Sequence, residues 1–268
     1  MIIIDPDNIW NDIQKIKSMS PLVHNITNFV TMDIMANSLL AIGASPIMAH
    51  AHEEIEQITK SVQAININIG TLEEYWIKTM IQVAVIAKDQ KIPIVLDPVG
   101  AGFTKYRTQI TLELLNTRAI TVIRGNSSEI LSLVHNKIIT KGVDSNEENI
   151  NDTLGAAKYL SKKFNMIVVV TGKVDYIIEN EKVIKVEHGH LLMSKVTGMG
   201  CTLSSIIAAF LSINSNYFAA IIHAVTMFDI IGELVANDSV GPASFKTNFI
   251  DKLYNITLMD IKNILQNV

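Results

Sequence analysis

Short apolar runs that each end in a polar residue constrain the fold of this chain more than any other feature. Three of them are residues 94–96 before Asp97, 120–123 before Arg124, which Thr121 interrupts, and 166–170 before Thr171. Strands that are apolar on every residue lie between two layers of helices, because both of their faces are covered. The stretches between the runs repeat apolar residues at helical spacing. The pattern therefore predicts an α/β protein with a mostly parallel central sheet.

The rest of the chain continues this alternation of strands and helices. Further strands are expected over residues 22–25, 46–49 and 64–70. Helices are expected over residues 5–19, 31–42, 53–62, 71–88, 127–135 and 149–164, with Thr71 to Glu74 as a capping box for the fourth. Residues 176–178 and 183–186 flank a polar turn, which predicts an antiparallel hairpin at the edge of the sheet.

Length and composition favour one domain over residues 1–268, because no segment rich in proline, glycine or serine divides the chain. Hydrophobic residues make up 49% and charged residues 18% of it. The chain is therefore richer in apolar residues than an average soluble domain. It indicates helices that are buried on both sides, or surfaces that subunits bury against each other.

The apolar stretch 217–236 is about as long as one membrane span. His223, Asp229 and Glu233 interrupt it, and ionisable groups are costly in lipid. A buried helix is therefore the better interpretation, and no membrane partner is expected.

Cysteine content and charge limit the other partners. The one cysteine cannot form an internal disulfide, which agrees with a reducing cytoplasm, and the N-terminus has no basic region or cleavage site of a signal peptide. The formal net charge is −4, and lysine and arginine do not cluster with aromatic residues. We therefore expect a cytoplasmic protein that does not bind nucleic acid.

A pair of glycines before the apolar run 204–211 forms an anion-binding motif. Gly198 and Gly200 stand one residue apart and lead directly into Cys201. Glycines leave backbone amides uncovered, and the start of a helix carries partial positive charge. Cys201 is the one reactive side chain of the motif. A lone cysteine is usually a small buried residue, although a helix start can lower the pKa of its thiol.

Polar residues at strand ends are the other candidates, because ligands of open α/β sheets bind beyond the carboxyl ends of the strands. Asp97, Arg124 and Thr171 hold such positions, and Glu129 follows Arg124 closely. Arginine suits a phosphate group, and two carboxylates suit Mg²⁺ held through waters. Each has a structural alternative. Asp97 and Thr171 are also typical turn residues, and Glu129 can close a capping box with Asn126.

Together these segments resemble the hydroxyethylthiazole kinase family, thiamine-salvage members of the ribokinase-like superfamily. The matching segments are residues 23–28, 43–48, 95–101, 124–129, 170–172 and 197–201. Each is weak alone, but their order and spacing are highly specific. The resemblance implies a ribokinase-like three-layer α/β/α fold, as a single kinase domain.

The resemblance also implies a reaction and its cofactors. The family phosphorylates the primary alcohol of 4-methyl-5-(2-hydroxyethyl)thiazole with ATP and Mg²⁺. By the family's pattern Arg124, Thr171 and Asn126 contact ATP, and Asp97 and Glu129 serve the metal ion.

The same resemblance places the catalytic and substrate-binding groups. The backbone amides of Gly198, Gly200 and Cys201 form the anion hole for the moving phosphoryl group. The family is typically a homotrimer with sites between subunits. The implied substrate residues are Met48 and Gly198 in the thiazole pocket, with Asn28 and Val30 toward a neighbour's substrate.

The role of Cys201 is open at this point. Sugar kinases of the same superfamily carry an aspartate at this position as general base, whereas a thiol of pKa ~8.5 is mostly protonated at neutral pH.

Three alternatives to the thiazole kinase function also stay open. They are a kinase for hydroxymethylpyrimidine or a pyridoxal-like alcohol, an acyl-transfer enzyme with Cys201 as nucleophile, and a non-catalytic nucleotide or thiazole sensor.

Overall fold

A single sheet organises the chain in the computed structural model, which describes residues 4–134 and 147–266, with side chains in the second range from residue 150 onward. Its strands are β1 (Leu22–Ile26), β2 (Ser45–Ile47), β3 (Ala64–Asn68), β4 (Ile94–Asp97), β5 (Val122–Asn126), β6 (Ile167–Thr171), β7 (Asp175–Glu179) and β8 (Lys182–Val186). Their order across the sheet is β2-β1-β3-β4-β5-β6-β7-β8. Pairs among β1 to β6 are parallel, whereas β7 pairs antiparallel with both β6 and β8. The predicted parallel sheet and its edge hairpin are therefore confirmed.

Helices connect the strands and follow the hairpin. In the described ranges they are α1 (Pro6–Met19), α2 (Met32–Ile42), α3 (Ile55–Thr59), α4 (Glu74–Gln90), α5 (Lys105–Asn116), α6 (Ser127–Ser132), α7 (Glu147–Phe164), α8 (Met199–Ser212), α9 (Tyr217–Ala236), α10 (Pro242–Asn255) and α11 (Leu258–Leu265). A short 3₁₀ helix, Leu191–Lys195, precedes α8.

The sheet is covered on both faces because its strands present apolar side chains to each. In β4, Val95 packs in the cluster formed with α1, α2, α8, α9 and α10, and Leu96 packs in the cluster formed with α4, α5 and α7. Val169 and Val170 of β6 divide between the two clusters in the same way. The result is the three-layer α/β/α architecture that the apolar runs predict.

Helix α9 lies inside one of these layers. It is the one helix in the described part of the chain that is long and apolar enough to cross a membrane, with a mean hydropathy of 1.8, and 78% of that window is buried in the protein. Asp229 within it is also buried. The helix packs against α8, α10 and β7, as expected of a core helix.

Several boundaries differ from the sequence expectation. Strand β5 runs through Arg124 to Asn126, so the arginine lies inside the strand rather than after it. The helix expected over 53–62 shortens to α3. The helix expected over 127–135 ends at Ser132, and position 135 lies outside the described residues.

The capping box predicted at Thr71 is wrong. Helix α4 begins at Glu74, and its N-cap residue Glu73 makes no side-chain capping bond. The Thr71 hydroxyl oxygen instead accepts a hydrogen bond of 3.3 Å from the Phe29 amide. A contact between distant segments has replaced the local one.

Candidate active site

Three strands and one helix start converge at the carboxyl edge of the sheet. Asp97 ends β4, Arg124 lies in β5, Thr171 ends β6, and Gly200 lies in the first turn of α8. These strands are parallel, so their carboxyl ends share one edge, where Asn126 stands opposite Thr171. The structure thus brings together groups that are distant in the sequence.

The guanidinium group of Arg124 joins these elements. Its Nη1 lies 3.3 Å from Asp97 Oδ2, and its Nη2 donates a hydrogen bond of 2.7 Å to Thr171 Oγ1. Burial disfavours the charge of Arg124, but the carboxylates of Asp97 and Glu129 outweigh burial and raise its pKa. A fixed and largely desolvated cation of this kind suits phosphate oxygens.

Asp97 is fully buried beneath the start of α8. Its oxygens accept hydrogen bonds from Arg124 and, at 2.9 Å, from the Ser204 hydroxyl of α8. Burial raises the pKa of Asp97, although Arg124 and Ser204 stabilise its charged form. Asp97 therefore links a strand to a helix and does more than close a local turn.

Glu129 caps a helix and also lies close enough to Asp97 for the charge of Asp97 to affect it. Its Oε2 accepts a hydrogen bond of 2.9 Å from the Asn126 amide, and the Asn126 side chain accepts one from the Glu129 amide. The capping box is therefore present. The other oxygen, Oε1, accepts a 2.9 Å hydrogen bond from the Gly100 amide after β4. Burial and then the charge of Asp97 raise the pKa of Glu129.

Glycine is required twice at the start of α8. Gly198 has a φ of +94°, and a Cβ atom there would lie 2.9 Å from the Thr31 side chain. A Cβ atom at Gly200 would lie 2.5 Å from Arg124 Nη2. The second glycine therefore lets the guanidinium group touch the first turn of α8. Amides in a first helical turn have no acceptor within the helix, so they are available to an anion.

Cys201 follows in the same turn and is half-buried. Its Sγ lies 3.5 Å from the side-chain Nδ2 of Asn28. Burial, and then the charge of Asp97, raise the pKa of the Cys201 thiol to about 11, against the opposing effect of Arg124. The lowered pKa that a helix start can produce is therefore not found. At neutral pH the thiol is protonated.

The residues assigned to the substrate lie on the β1 side of this turn. Asn28 is buried, and its side-chain Nδ2 also donates a 2.9 Å hydrogen bond to Oδ1 of Asn68 at the end of β3. Its side chain is thus bound within its own chain, next to Cys201. Val30 is 68% exposed, and Met48 packs partly buried against the core.

Arg107 is a positioning residue that no sequence pattern predicted. Its guanidinium group donates to the carbonyl oxygens of Ile69, Gly70 and Val99, at 3.0, 2.9 and 2.6 Å. It therefore ties together the loops that follow β3 and β4. Its helix, α5, was not predicted either, although Thr104 caps that helix by accepting from the Arg107 amide.

A cavity of about 660 Å³ opens beside Arg124. One side is formed by the ends of β5 and β6 and the first turn of α8, with Thr171 and Gly200 among its residues. The other side is formed by the loop after β8 and by α9, which contributes Asp229. Ligand sites commonly have volumes of about 300–1,000 Å³. The cavity is therefore large enough for a nucleotide.

Comparisons of the sequence and of the structure with known proteins match the same family. Residues 13–259 match the model of the hydroxyethylthiazole kinase family. A hydroxyethylthiazole kinase of Syntrophus aciditrophicus is 44% identical over 266 residues, which cover 99% of this chain and 98% of that protein.

Solved structures agree. A hydroxyethylthiazole kinase from Pyrococcus horikoshii OT3 has a TM-score of 0.87 and 38% identity, covering 96% of both chains. A ribokinase-like superfamily protein from Enterococcus faecalis has a TM-score of 0.60 at 16% identity, covering 88% of both chains, and shares the fold. With the converged strand ends and the glycine loop, these matches show that the chain is an enzyme of the hydroxyethylthiazole kinase family.

Proposed function

We propose that this chain transfers the γ-phosphoryl group of ATP to the primary alcohol of 4-methyl-5-(2-hydroxyethyl)thiazole, as in thiamine salvage. The contact between Gly200 and Arg124 carries the proposal. It places a cation against the uncovered amides of a helix start, and Thr171 holds that cation from the opposite side. Phosphate oxygens are bound by such combinations of amides and guanidinium groups.

The reaction exchanges one P–O bond for another. The alcohol oxygen bonds to the γ-phosphorus atom, the bond from that phosphorus to the β,γ-bridging oxygen breaks, and ADP leaves. The transition state is loose, so positioning and charge stabilisation supply most of the catalysis. In this proposal Arg124 and Thr171 bind ATP, with Asn126 beside them, and the amides from Gly198 to Cys201 stabilise the moving phosphoryl group.

Mg²⁺ fits the chemistry of Asp97 and Glu129. Each carboxyl group is buried with a raised pKa, and the charge of Asp97 adds to the shift of Glu129. A cation nearby would relieve this repulsion. No cluster of three or more metal-ligating side chains occurs in the described ranges, which agrees with the habit of Mg²⁺ to bind one or two carboxylates, waters and substrate phosphates. When bound, Mg²⁺ would neutralise charge on the phosphate oxygens.

The alcohol proton needs no strong base in this scheme. A thiol with a pKa of about 11 holds its own proton at neutral pH, so Cys201 is a weak proton acceptor. In a loose transition state the alcohol oxygen gains little positive charge before the P–O bond forms, and the proton can leave late to water or a phosphate oxygen. We therefore assign Cys201 to the anion hole through its amide, with its thiol facing the alcohol.

Exposed apolar residues near the site support a homotrimer with sites at subunit interfaces. Phe29, Val30 and Phe103 are 65%, 68% and 73% exposed. Phe29 and Val30 directly follow Asn28, which lies beside Cys201. Clustered exposed apolar side chains often mark interfaces. A neighbouring subunit on this surface would bring Val30 to a second site, and Met48 and Gly198 would line the thiazole pocket from the home subunit.

We further propose that residues 1–268 act as one kinase domain in the cytoplasm. The matched family model spans most of the chain, and the one cysteine, Cys201, is free. A free thiol beside the reacting groups suits a reducing compartment.

A coupled assay for ADP release tests the proposed function. The purified chain is given ATP with the thiazole alcohol, with hydroxymethylpyrimidine, or with pyridoxal, each with and without Mg²⁺. We expect ADP release with the thiazole alcohol and Mg²⁺, and a phosphorylated thiazole by mass spectrometry. ADP release that is faster with either other alcohol would contradict the assigned substrate, and activity undiminished by EDTA would contradict the metal.

A further inference from the structure

Asp229 of α9 has an unsatisfied oxygen beside the cavity. The residue is 5% exposed, and Oδ2 is buried with no hydrogen-bond partner in the described part of the chain. Buried polar groups nearly always have partners, because an unpaired group loses its hydration without replacement. Because the Asp229 side chain lines the cavity, a bound ligand can supply a hydrogen-bond partner to this carboxyl group.

The other acidic groups around Asp229 already have partners. Asp175 Oδ1 accepts a 2.9 Å hydrogen bond from the Gly172 amide. Glu233 Oε1 accepts from His188 Nδ1 at 3.2 Å and from the Gly189 amide at 3.0 Å. Burial and the charges of Asp175 and Glu233 raise the pKa of Asp229 well above its usual value. A neutral carboxyl group both donates and accepts hydrogen bonds, which suits an uncharged polar ligand.

The charged groups around the cavity determine the orientation in which a nucleotide binds. Arg124 and the first turn of α8 attract phosphate groups, whereas the charge of Asp175, which lines the cavity together with Asp229, repels them. A nucleotide therefore binds with its phosphates at Arg124 and its uncharged half toward Asp229. The apolar side chains of Met193, Leu203 and Phe228 line the cavity as well, as a nucleobase or ribose requires.

We propose that Asp229 binds the nucleoside half of ATP, accepting a hydrogen bond from a ribose hydroxyl group or from the 6-amino group of adenine. The inference rests on the proposed function only for the identity of the nucleotide. Asp229 is then a specificity-determining residue that discriminates between nucleotides without taking part in the transfer step.

Calorimetric binding of ADP, with no alcohol and no turnover, tests this. Asp229→Leu should weaken ADP binding by about tenfold, because it removes a buried hydrogen bond at similar side-chain volume. Asp229→Asn, which keeps an acceptor, should stay within about threefold of the wild type. The matched control is Asp238→Leu, at an exposed position after the same helix, and it should not change binding. Inorganic tripolyphosphate probes the phosphate end alone, and its affinity should be unchanged in Asp229→Leu.

An unchanged ADP affinity in Asp229→Leu, or an equal loss for tripolyphosphate, overturns the proposal. The two donors are separated with the wild type alone, by comparing ADP with IDP, 2′-deoxy-ADP and 3′-deoxy-ADP. The analogue that lacks the contacted group should bind about tenfold more weakly than ADP, and equal affinity for all four nucleotides again overturns the proposal. This series needs no substitution, so equal affinity can overturn the proposal even if Asp229→Leu does not fold, and Asp229→Asn then tests the residue itself. Since binding is read directly, absence of thiazole kinase activity would refute the proposed function without touching this result.

Discussion

Two buried aspartates, Asp12 and Asp229, have opposite environments in the same helical layer. Asp12 of α1 accepts hydrogen bonds from His223 Nδ1 at 2.6 Å and from the side-chain Nδ2 of Asn214 at 2.9 Å, and Lys15 Nζ lies 3.3 Å away. Burial alone would raise the pKa of Asp12, but these partners lower it. Asp229 lies beside other carboxylates, and its pKa is raised.

The difference separates a structural carboxylate from a ligand-facing one. The partners of Asp12 come from the loop between α8 and α9 and from α9 itself, so the charge ties α1 to both. Asp229 lines the cavity beside Arg124, and its Oδ2 has no hydrogen-bond partner within residues 4–134 and 147–266. Substitutions near the cavity should therefore change ligand binding and catalysis, and substitutions at Asp12 should change the free energy of unfolding.

The largest expected effect is at the phosphate end of the cavity. Gly200→Ala places a Cβ atom 2.5 Å from Arg124 Nη2 and pushes the guanidinium group off the helix start. We expect kcat/KM for ATP to fall by about 10²–10³, the loss typical when one electrostatic contact to the transition state is removed. Steady-state kinetics measure the loss. Gly155→Ala in α7 is the matched control, because a Cβ atom there meets nothing within 4 Å, and it should retain full activity. Similar rates for the two variants would contradict the anion hole.

The next effect is a loss of stability at Asp12. Asp12→Ala removes the shared partner of His223 and Asn214, and we expect the free energy of unfolding to fall by about 2 kcal/mol. The pKa of Asp12 is lowered, so its contribution is present above the unfolded-state pKa near 3.8 and is lost as the pH falls through the lower folded-state value.

Urea denaturation at pH 7 and at acid pH measures the contribution of Asp12. The exposed Asp152→Ala is the control and should have little effect. Kinetic constants should be those of the wild type. A change in KM for ATP without a change in stability would break the distinction between the two aspartates.

The contribution of Asp175 to stability should depend on pH in the opposite direction to that of Asp12. Burial raises its pKa to about 6 from 3.8, so the stability it confers is present in the protonated form below about pH 4 and is lost as the pH rises through 6. Asp175→Asn keeps an acceptor for the Gly172 amide and removes the charge. We expect this variant to exceed the wild type by about 1–2 kcal/mol at pH 8 and to match it at pH 4. Thermal unfolding at the two pH values is the measurement, and a variant less stable at pH 8 would show that the charge itself is needed.

The smallest effect is expected at Cys201. Because its pKa is about 11, the thiol is protonated at pH 7, and Cys201→Ser should keep kcat within about threefold, with a pH profile parallel to that of the wild type. Cys201→Asp supplies a carboxylate and should be at least as active. If the wild-type rate instead rose tenfold per pH unit while the Cys201→Ser rate stayed flat, the thiolate would be the base after all.

Local sequence was sufficient for the parallel sheet. Runs such as 94–96 and 166–170 are apolar at every residue, and only a strand covered on both faces buries all of those side chains. The positions of Asp97, Arg124 and Thr171 next to these runs then predicted that their side chains lie close together, since parallel strands share their carboxyl edge. Helix α5 was not predicted because its apolar face is short, and Arg107, which lies in that helix, was not predicted either.

Three properties were decided by tertiary structure alone. The Cys201 pKa depends on burial and on Asp97, which is more than one hundred residues away in sequence, so its position at a helix start was a misleading guide. The contact between Gly200 and Arg124 needed the packing of α8 on the sheet. Asp229 looked like one of several ionisable residues in an apolar helix, and only the tertiary structure showed that it lines a cavity and that its Oδ2 has no hydrogen-bond partner among the described residues. Periodicity reports which side chains are buried, whereas pKa values and missing partners depend on what distant segments place beside them.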